Sequence, residues 1–421
     1  MRILVIGSGG REHAIVWALN KSDKVSKIFC APGNAGIAEL AECAPIPVNR
    51  FDDLIQFSCD NEIDLVVVGP DDPLADGIVD AFEERNVPIY GPRKNAAEIE
   101  GSKIFMKNLL KKYNVPTAKY ETFTDYETAL TYLRQQEIPV VVKADGLAAG
   151  KGVTVAFSME EAEEALQGMM VGKVFGESGG RVVIEEFLEG QEMSILAFVD
   201  GETVRAMVPA QDHKQVFDND KGPNTGGMGT YSPLPHIDPA LVEDAIENII
   251  KPTARAMVSE GRPFRGVLFA GLMMTKSGVK TIEFNARMGD PETQVVLPRL
   301  KTDLLDIILA SMNGRLDQLQ IEWSDEAAVC VIAASEGYPA PYPKGRVITG
   351  LEAARAQGAL VFHAGTALAD GNIVTNGGRV LGIVGRGRDI AEARAKAYEA
   401  VSAIHFEGMH SRTDIAAKAL R

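Results

Sequence analysis

Residues 140–153 read VVVKADGLAAGKGV. An apolar run ends in Lys143, and Gly146, Gly150 and Gly152 surround Lys151 before the chain turns apolar again at VTVAF. A lysine among glycines suggests a loop that cradles phosphate. A Walker loop, however, needs four residues between its glycines, a Ser or Thr after the lysine to reach a metal, and a helix next. Here three residues separate Gly146 from Gly150, Gly152 follows Lys151, and the next segment is β-branched and strand-like. The Walker reading fails on spacing, metal ligand and context. Lys143 itself leaves two readings open: an ammonium held in the interior by an anion such as phosphate, or a lysine snorkelling from a surface hairpin.

With 421 residues and 46% hydrophobic content, the chain can bury large cores and is long enough for two to four domains. Its net charge of −15 excludes wholesale binding of nucleic acid or of an anionic membrane, so an anionic ligand must be met by local lysines, arginines and backbone N–H groups. Cys30, Cys43, Cys59 and Cys330 lie far apart with no CxxC spacing, which fits buried thiols in a reducing compartment. MRILVIG is a first strand, too short for a signal peptide, and no apolar run approaches the roughly 20 residues of a membrane span. A soluble, cytoplasmic protein is expected.

Up to residue 92, short apolar runs (RILVIG, KIFCA, DLVVVG, VPIYG) alternate with amphipathic segments of helix length, the grammar of a parallel α/β sheet. Ser102 is placed to cap the helix SKIFMKNLLKKY. Residues 118–188 read as a compact α+β module, followed by the strands GVLFAGLMM and KTIEFNA and the helix DLLDIILASM. Strands dominate after about 325 and are closed by the helix DIAEARAKAYEAVSAI.

Several stretches carry chemistry. GSGGREHA follows the first strand and begins like a dinucleotide fingerprint, but Glu12 stands where the third glycine belongs and no acid ends the second strand, so a nicotinamide cofactor is not expected. Gly9, Gly10 and Arg11 at a helix start remain a candidate phosphate site, against the plainer reading of a tight turn. In KTIEFNARMGDPETQ, Glu283 and Asn285 share one strand face and offer two hard oxygens to Mg²⁺ or Mn²⁺, while Arg287, Asp290 and Glu292 crowd the next turn. QDHK contributes Asp212, His213 and Lys214, and the glycines of NTGGMGTYSP read as a loop whose backbone approaches a ligand closely.

In order and spacing, GSGGREHA, VVGPDDPLADG, KADGLAAGKGV, IEEFLEGQE, QDHK, NTGGMGTYSP, EFNARMGDPETQ and SRTDIA together resemble the glycinamide ribonucleotide synthetases, phosphoribosylamine-glycine ligases of the ATP-grasp superfamily. The resemblance runs along essentially the whole chain, and RMGDPETQ is its most specific element. It implies an α/β and α+β multidomain protein: an N-terminal parallel α/β (pre-ATP-grasp) domain over 1–102, an ATP-grasp domain over 103–312 with a mobile lid subdomain at about 118–188, and a mostly β C-terminal domain over 325–421 closed by a helix.

By the same resemblance the protein ligates glycine to 5-phosphoribosylamine with ATP and Mg²⁺ or Mn²⁺, acts on small molecules without nucleic acid or membrane, and is a monomer. Lys103 and Lys143 are the phosphate-contacting pair, with Gly146, Gly150, Lys151 and Gly152 covering the triphosphate. Glu185, Glu186, Phe187 and Leu188 meet adenine by backbone groups, Glu192 meets the ribose, and Glu283 and Asn285 hold the metal. Arg287, Asp212 and Lys143 are the catalytic candidates. Gly9, Gly10, Arg11, Asp71, Asp212, His213, Lys214, Gly226, Gly227, Arg287 and Asp290 are the substrate contacts. Two departures stand out: GVLFAGLMM carries no further carboxylate, and the family's GPE turn reads GPD, with Asp71 one methylene shorter. Another grasp ligase or carboxylase would share the loop and the metal pair but not RMGDPETQ, and a nucleotide sensor would need neither QDHK nor Arg287.

Overall fold

Five parallel strands open the chain: β1 (Arg2–Gly7), β2 (Lys27–Pro32), β3 (Glu42–Cys43), β4 (Leu65–Val68) and β5 (Ile89–Tyr90), in the spatial order β3-β2-β1-β4-β5. β1 and β4 are apolar almost throughout because helices cover both faces of such a sheet. The strand order reverses between them, and the crevice outside their carboxyl ends is where an open α/β sheet receives ligands. The turns after β1 and β4 bring Gly9 to Arg11 and Asp71 to that crevice. The computed structural model describes residues 1–147, 152–174 and 179–420.

Ser102 caps the helix Lys103–Lys112, its hydroxyl accepting from the Phe105 N–H. β6 (Tyr120–Phe123), β7 (Val140–Ala144), β8 (Val153–Ala156) and β9 (Val182–Glu186) then form an antiparallel sheet ordered β6-β9-β7-β8. With the helices Tyr126–Leu133 and Met159–Met170 it has its own small core around Leu133, Val142, Leu166 and Ile184. β7 and β8 make a hairpin, but Lys143 is buried within it, so the snorkelling reading is excluded.

Residues 187–190 link β9 to the long strand β10 (Gln191–Asp200). There follow β11 (Thr203–Ala206), β12 (Gln211–Asp212), β13 (Gln215–Phe217), β14 (Lys221–Asn224), β15 (Gly229–Ser232), β16 (Arg265–Thr275) and β17 (Gly278–Asn285). β10, β11, β16 and β17 form a second antiparallel sheet, ordered β11-β10-β16-β17. The chain closes with β18 (Ala327–Ala334), β19 (Leu360–His363), the hairpin β20 (Thr366–Ala369) and β21 (Asn372–Thr375), β22 (Arg379–Gly387) and the helix Ile390–Ala403, which Asp389 caps.

The C-terminal sheet, ordered β12-β15-β18-β22-β19, borrows two strands from mid-chain. The glycine run of NTGGMGTYSP is therefore a loop only as far as Met228. Gly229 opens the buried strand β15, and a Cβ there would meet Ile415 Cδ1 at 2.6 Å. The β13–β14 hairpin is tied to the C-terminal SRTDIA segment. Arg412, fully buried, donates to Asp414 twice at 2.8 Å, to Asp220 at 3.1 Å and to the Gln215 carbonyl at 3.0 Å.

The four cysteines are free, but not all are buried: Cys59 is exposed, because the helix Phe51–Asp60 turns Leu54, Ile55 and Ser58 inward instead. Among the described residues, no helix is long and apolar enough to cross a membrane.

Candidate active site

The site lies where the N-terminal crevice, the small β6–β9 sheet and the β10–β17 sheet meet. Lys103 sits in the first turn of its helix and donates to the Gly146 carbonyl at 2.7 Å; Gly146 has φ +93°, a conformation that favours glycine. Asp145, 1% exposed, accepts from the Ile104 N–H and the Ser102 hydroxyl, both at 3.1 Å, and pairs with Arg181 at 2.7 Å, so the start of the loop is pinned to the helix that carries Lys103. Gly152 returns the chain to β8, its carbonyl accepting from Ala144 N–H at 2.8 Å. Gly150 and Lys151 lie outside the described residues.

Lys143 Nζ stands 3.0 Å from Glu185, which therefore presents its carboxylate to the lysines. The backbones of Glu185 and Glu186 are engaged in strand pairing with β6 and β7, and the Glu186 N–H donates to the Lys119 carbonyl at 2.9 Å. Chain free of sheet pairing begins at Phe187, whose ring lies 6.1 Å from that of Phe157. Leu188 is half-buried beside it.

Glu283 and Asn285 point to one face of β17, as alternation requires. A bulge between Thr281 and Glu283 sets the register, and Gly271 opposite leaves room: a Cβ there would sit 3.1 Å from Glu283 Cγ. Burial pushes the Glu283 carboxyl up, but Lys214, Lys143, Lys103 and Arg287 outweigh it and hold the group ionised. Among the described residues no cluster of three or more metal-binding side chains exists. Two hard oxygens beside Lys103 and Lys143 nevertheless suit Mg²⁺, which takes few protein ligands and fills its octahedron with phosphate oxygens and water.

QDHK divides. Lys214 pairs with Glu192 at 2.9 Å, and Asp212 and Lys214 face Glu192 and Glu283. Burial, with Glu192 and Glu283 nearby, raises the Asp212 carboxyl to about 6, while Glu292 is pushed up to about 8 by burial and Asp212. His213 does not join them. Strand alternation turns its ring the other way, 5.9 Å from Tyr231 and toward Arg412, and burial lowers its basicity to about 4. Neither ring nitrogen has a partner among the described residues. Gly226 and Gly227 also differ from expectation. Arg379 donates to the Gly226 carbonyl at 2.7 Å, Gly226 N–H donates to Tyr338 Oη at 3.0 Å, and a Cβ on Gly227 would meet Pro291 at 2.5 Å. The close approach that needs these glycines is to protein.

At the crevice, Arg11 donates to Glu12 at 2.5 Å and to the Met288 carbonyl at 3.2 Å. Glu12 fills the space left by Gly7 and Gly69 and accepts the Gly9 N–H at 2.6 Å, so that donor is already committed. Gly10 allows Gln294 to pack against the helix start, where a Cβ would meet its Nε2 at 2.7 Å. Asp71 is held ionised against its burial by Arg287 and Arg11, and Asp290 by Arg379, Arg11 and a hydrogen bond from Gln294. Arg287 pairs with Glu100 at 2.8 Å and reaches Asp71 at 3.9 Å. Glu100, Lys107, Glu292 and Arg379 are site residues that sequence patterns did not single out as roles; only Glu292 carried a signal, the density of charge after a buried strand.

Three family models cover the chain in succession: the phosphoribosylglycinamide synthetase N domain over residues 1–100, its ATP-grasp (A) domain over 101–293 and its C domain over 328–418. The chain belongs to the phosphoribosylglycinamide synthetase family. It is 54% identical to the phosphoribosylamine–glycine ligase of Caldanaerobacter subterraneus subsp. tengcongensis across 99% of this chain and 100% of that one. The crystal structure of phosphoribosylamine–glycine ligase from Thermotoga maritima superposes with a TM-score of 0.87 at 35% identity, covering 99% of this chain and 100% of that one. The biotin carboxylase domain of Hydrogenobacter thermophilus 2-oxoglutarate carboxylase, solved with magnesium ADP, shares the fold alone: TM-score 0.72 at 15% identity, over 97% and 91% of the two chains. As a member of that family, the chain has its three-domain architecture, with ATP as its nucleotide.

Proposed function

We propose that this chain is a carbon–nitrogen ligase that joins glycine to 5-phospho-D-ribosylamine at the expense of ATP, giving glycinamide ribonucleotide, ADP and phosphate in purine biosynthesis. The observation that carries the reading is full-length membership of the ligase family together with a site in which Lys103 from its helix, Lys143 from β7, and Glu283, Asn285 and Arg287 from β17 and the turn after it converge.

A carboxylate is a poor electrophile. In our reading, glycine's carboxylate oxygen attacks the γ-phosphorus, the bond to the ADP oxygen breaks, and glycyl phosphate forms. The amine of phosphoribosylamine then attacks the acyl carbon, expels phosphate and loses a proton. The chain contributes position and charge. Lys103 and Lys143 neutralise the phosphates, and Gly146 and Gly152, with Gly150 and Lys151 between them in sequence, are the further phosphate contacts of this reading. Phe187 and Leu188 border adenine, and Glu192 the ribose. Glu283 and Asn285 would hold Mg²⁺ or Mn²⁺, which supplies Lewis-acid neutralisation of phosphate charge. Arg287 faces the charge that develops on the acyl phosphate, and Asp212 takes up the amine's proton. Arg11, Asp71 and Asp290 line the crevice for the phosphoribosylamine, and Lys214 keeps Glu192 in place. His213, Gly226 and Gly227 act on the fold instead.

The domain limits of 1–102, 103–312 and 325–421 belong to this reading, as do a monomeric state and a cytoplasmic location, which the free cysteines and the acidic charge favour. ADP release measured with glycine and phosphoribosylamine, singly and together, tests it. Release that requires both is expected; release indifferent to both overturns the assignment.

A further inference from the structure

Glu185 is flanked by two buried lysines, and the two are not held alike. Lys107 Nζ and Lys143 Nζ each lie 3.0 Å from the carboxylate, on different oxygens, and all three side chains are at most 6% exposed. Lys107 has further anchors. It donates to Thr117 Oγ1 at 2.7 Å, Thr117 donates to the Thr281 carbonyl at 2.9 Å, and the Tyr120 ring covers the ammonium at 5.5 Å. Lys143 has one other contact among the described residues, the Ile282 carbonyl at 3.5 Å, and the Glu185 oxygen nearest it lacks hydrogen-bond alignment. Lys107 also lies one helical turn beyond Lys103, on the same helix face.

Two cations share the one carboxylate in contact with them, Glu283 acting on Lys143 only through space, and a buried cation without a contacting anion of its own is costly. The loosely held one, at the mouth of the glycine loop, is the one that can turn to an incoming phosphate. We propose that Lys107 is a positioning residue for nucleotide binding: it is the permanent counter-ion of Glu185, and its presence lets Lys143 leave that carboxylate for a phosphate without stranding a buried negative charge. Without Lys107, Lys143 and Glu185 become a balanced pair, and recruiting Lys143 to nucleotide exposes Glu185 unpaired. The inference rests on the assignment of Lys143 to the ATP phosphates.

The test is a double-mutant cycle on the full-length chain, read by calorimetric titration with MgADP and by steady-state kinetics in ATP. Lys107→Met is expected to raise Kd for MgADP and KM for ATP about tenfold or more while kcat changes less than about threefold. In a Glu185→Gln background the same substitution is expected to change Kd by less than about twofold, because no carboxylate is left to strand. Equal Kd values for wild type and Lys107→Met overturn the proposal. So does a tenfold loss in both backgrounds, which would mark Lys107 as a packing residue. Thr117→Val, which keeps the ammonium but removes its anchor, covers the case in which Lys107→Met does not fold. It should weaken MgADP about threefold, and an unchanged Kd again overturns the inference. Wild-type chain that fails to bind MgADP at all would instead refute the nucleotide assignment itself.

Discussion

The Arg287 guanidinium is held 2.8 Å from the Glu100 carboxylate, across the seam between the N-terminal domain and the β17 strand end. Glu100 also accepts the Ala286 N–H at 2.7 Å, so one buried acid fixes both the backbone and the side chain of the turn that presents Arg287. Glu100→Gln preserves the backbone hydrogen bond and removes the charge. Turnover is expected to fall roughly 10- to 100-fold as Arg287 loses its orientation. The stability effect runs the other way. Burial raises the Glu100 carboxyl to about 7 despite Arg287, so between the ordinary carboxylate range and about 7 the folded chain binds a proton that the unfolded chain does not. Glu100 thus stabilises at acid pH and loses that contribution as pH rises through 7. Thermal unfolding at pH 8 should find Glu100→Gln at least as stable as wild type. A variant less stable at pH 8 with normal turnover would make Glu100 a structural acid only.

Glu283→Gln separates nucleotide binding from chemistry. The lysines and the Phe187 edge remain, so MgADP affinity should stay within about threefold, while the loss of a charged metal ligand should lower turnover roughly a hundredfold or more. Wild-type turnover would remove Glu283 from the metal site.

How far the site could be read from sequence depends on how local each relationship is. Glu283 and Asn285 were legible because strand alternation is a property of neighbouring residues, and Ser102 because a cap lies within one turn of what it caps. The resemblance supplied the domain order and the roles proposed for Lys103 and Lys143. The partnership of Arg287 with Glu100 was not legible: Ala286 and Glu100 are 186 positions apart, and no periodicity links them. QDHK shows the opposite failure. Four adjacent residues suggest one site, but alternation sends Asp212 and Lys214 to one side and His213 to the other. The borrowed strand β15 was hidden for a different reason: its glycine looks like loop composition, while the close approach of Ile415 that demands it comes from the far end of the chain.

His213 is expected to shape the acid limb of stability. Its ring is buried, Arg412 and Lys418 add positive potential, and its basicity falls to about 4 from the ordinary 6.5. Between those values the unfolded chain binds a proton that the folded chain refuses, so stability is full above about pH 6.5 and is lost as pH falls toward 4. Because neither ring nitrogen has a partner among the described residues, His213→Leu sacrifices no hydrogen bond. Denaturation at pH 7.5 should find it within roughly 1 kcal/mol of wild type, with a shallower decline between pH 6.5 and 4. Loss of ligase activity at unchanged stability would return His213 to the substrate site.

Arg412 offers the strongest test of how the C-terminal segment serves the site. Its guanidinium is fully buried and satisfies Asp414, Asp220 and the Gln215 carbonyl, while Thr413 N–H donates to Asp218 at 2.8 Å and Lys418 pairs with Asp220 at 2.7 Å. These contacts fasten the β13–β14 hairpin, which begins directly after Lys214 and leads into the Gly226–Gly227 turn on Arg379. Removing the buried guanidinium leaves the Gln215 carbonyl without its donor and the partly exposed Asp414 and Asp220 without their counter-ion, which costs about 1–3 kcal/mol. Arg412→Met should therefore lower stability by that order in urea unfolding and raise hydrogen exchange across residues 215–224. Arg412→Lys should recover only part of either, because an ammonium cannot span two carboxylates and a carbonyl with a planar fork. Since Lys214 hangs on the same hairpin, Arg412→Met should also impair turnover below its unfolding temperature, although Arg412 touches no substrate. Normal turnover with a loosened hairpin would show that Asp212 and Lys214 are positioned by β12 alone.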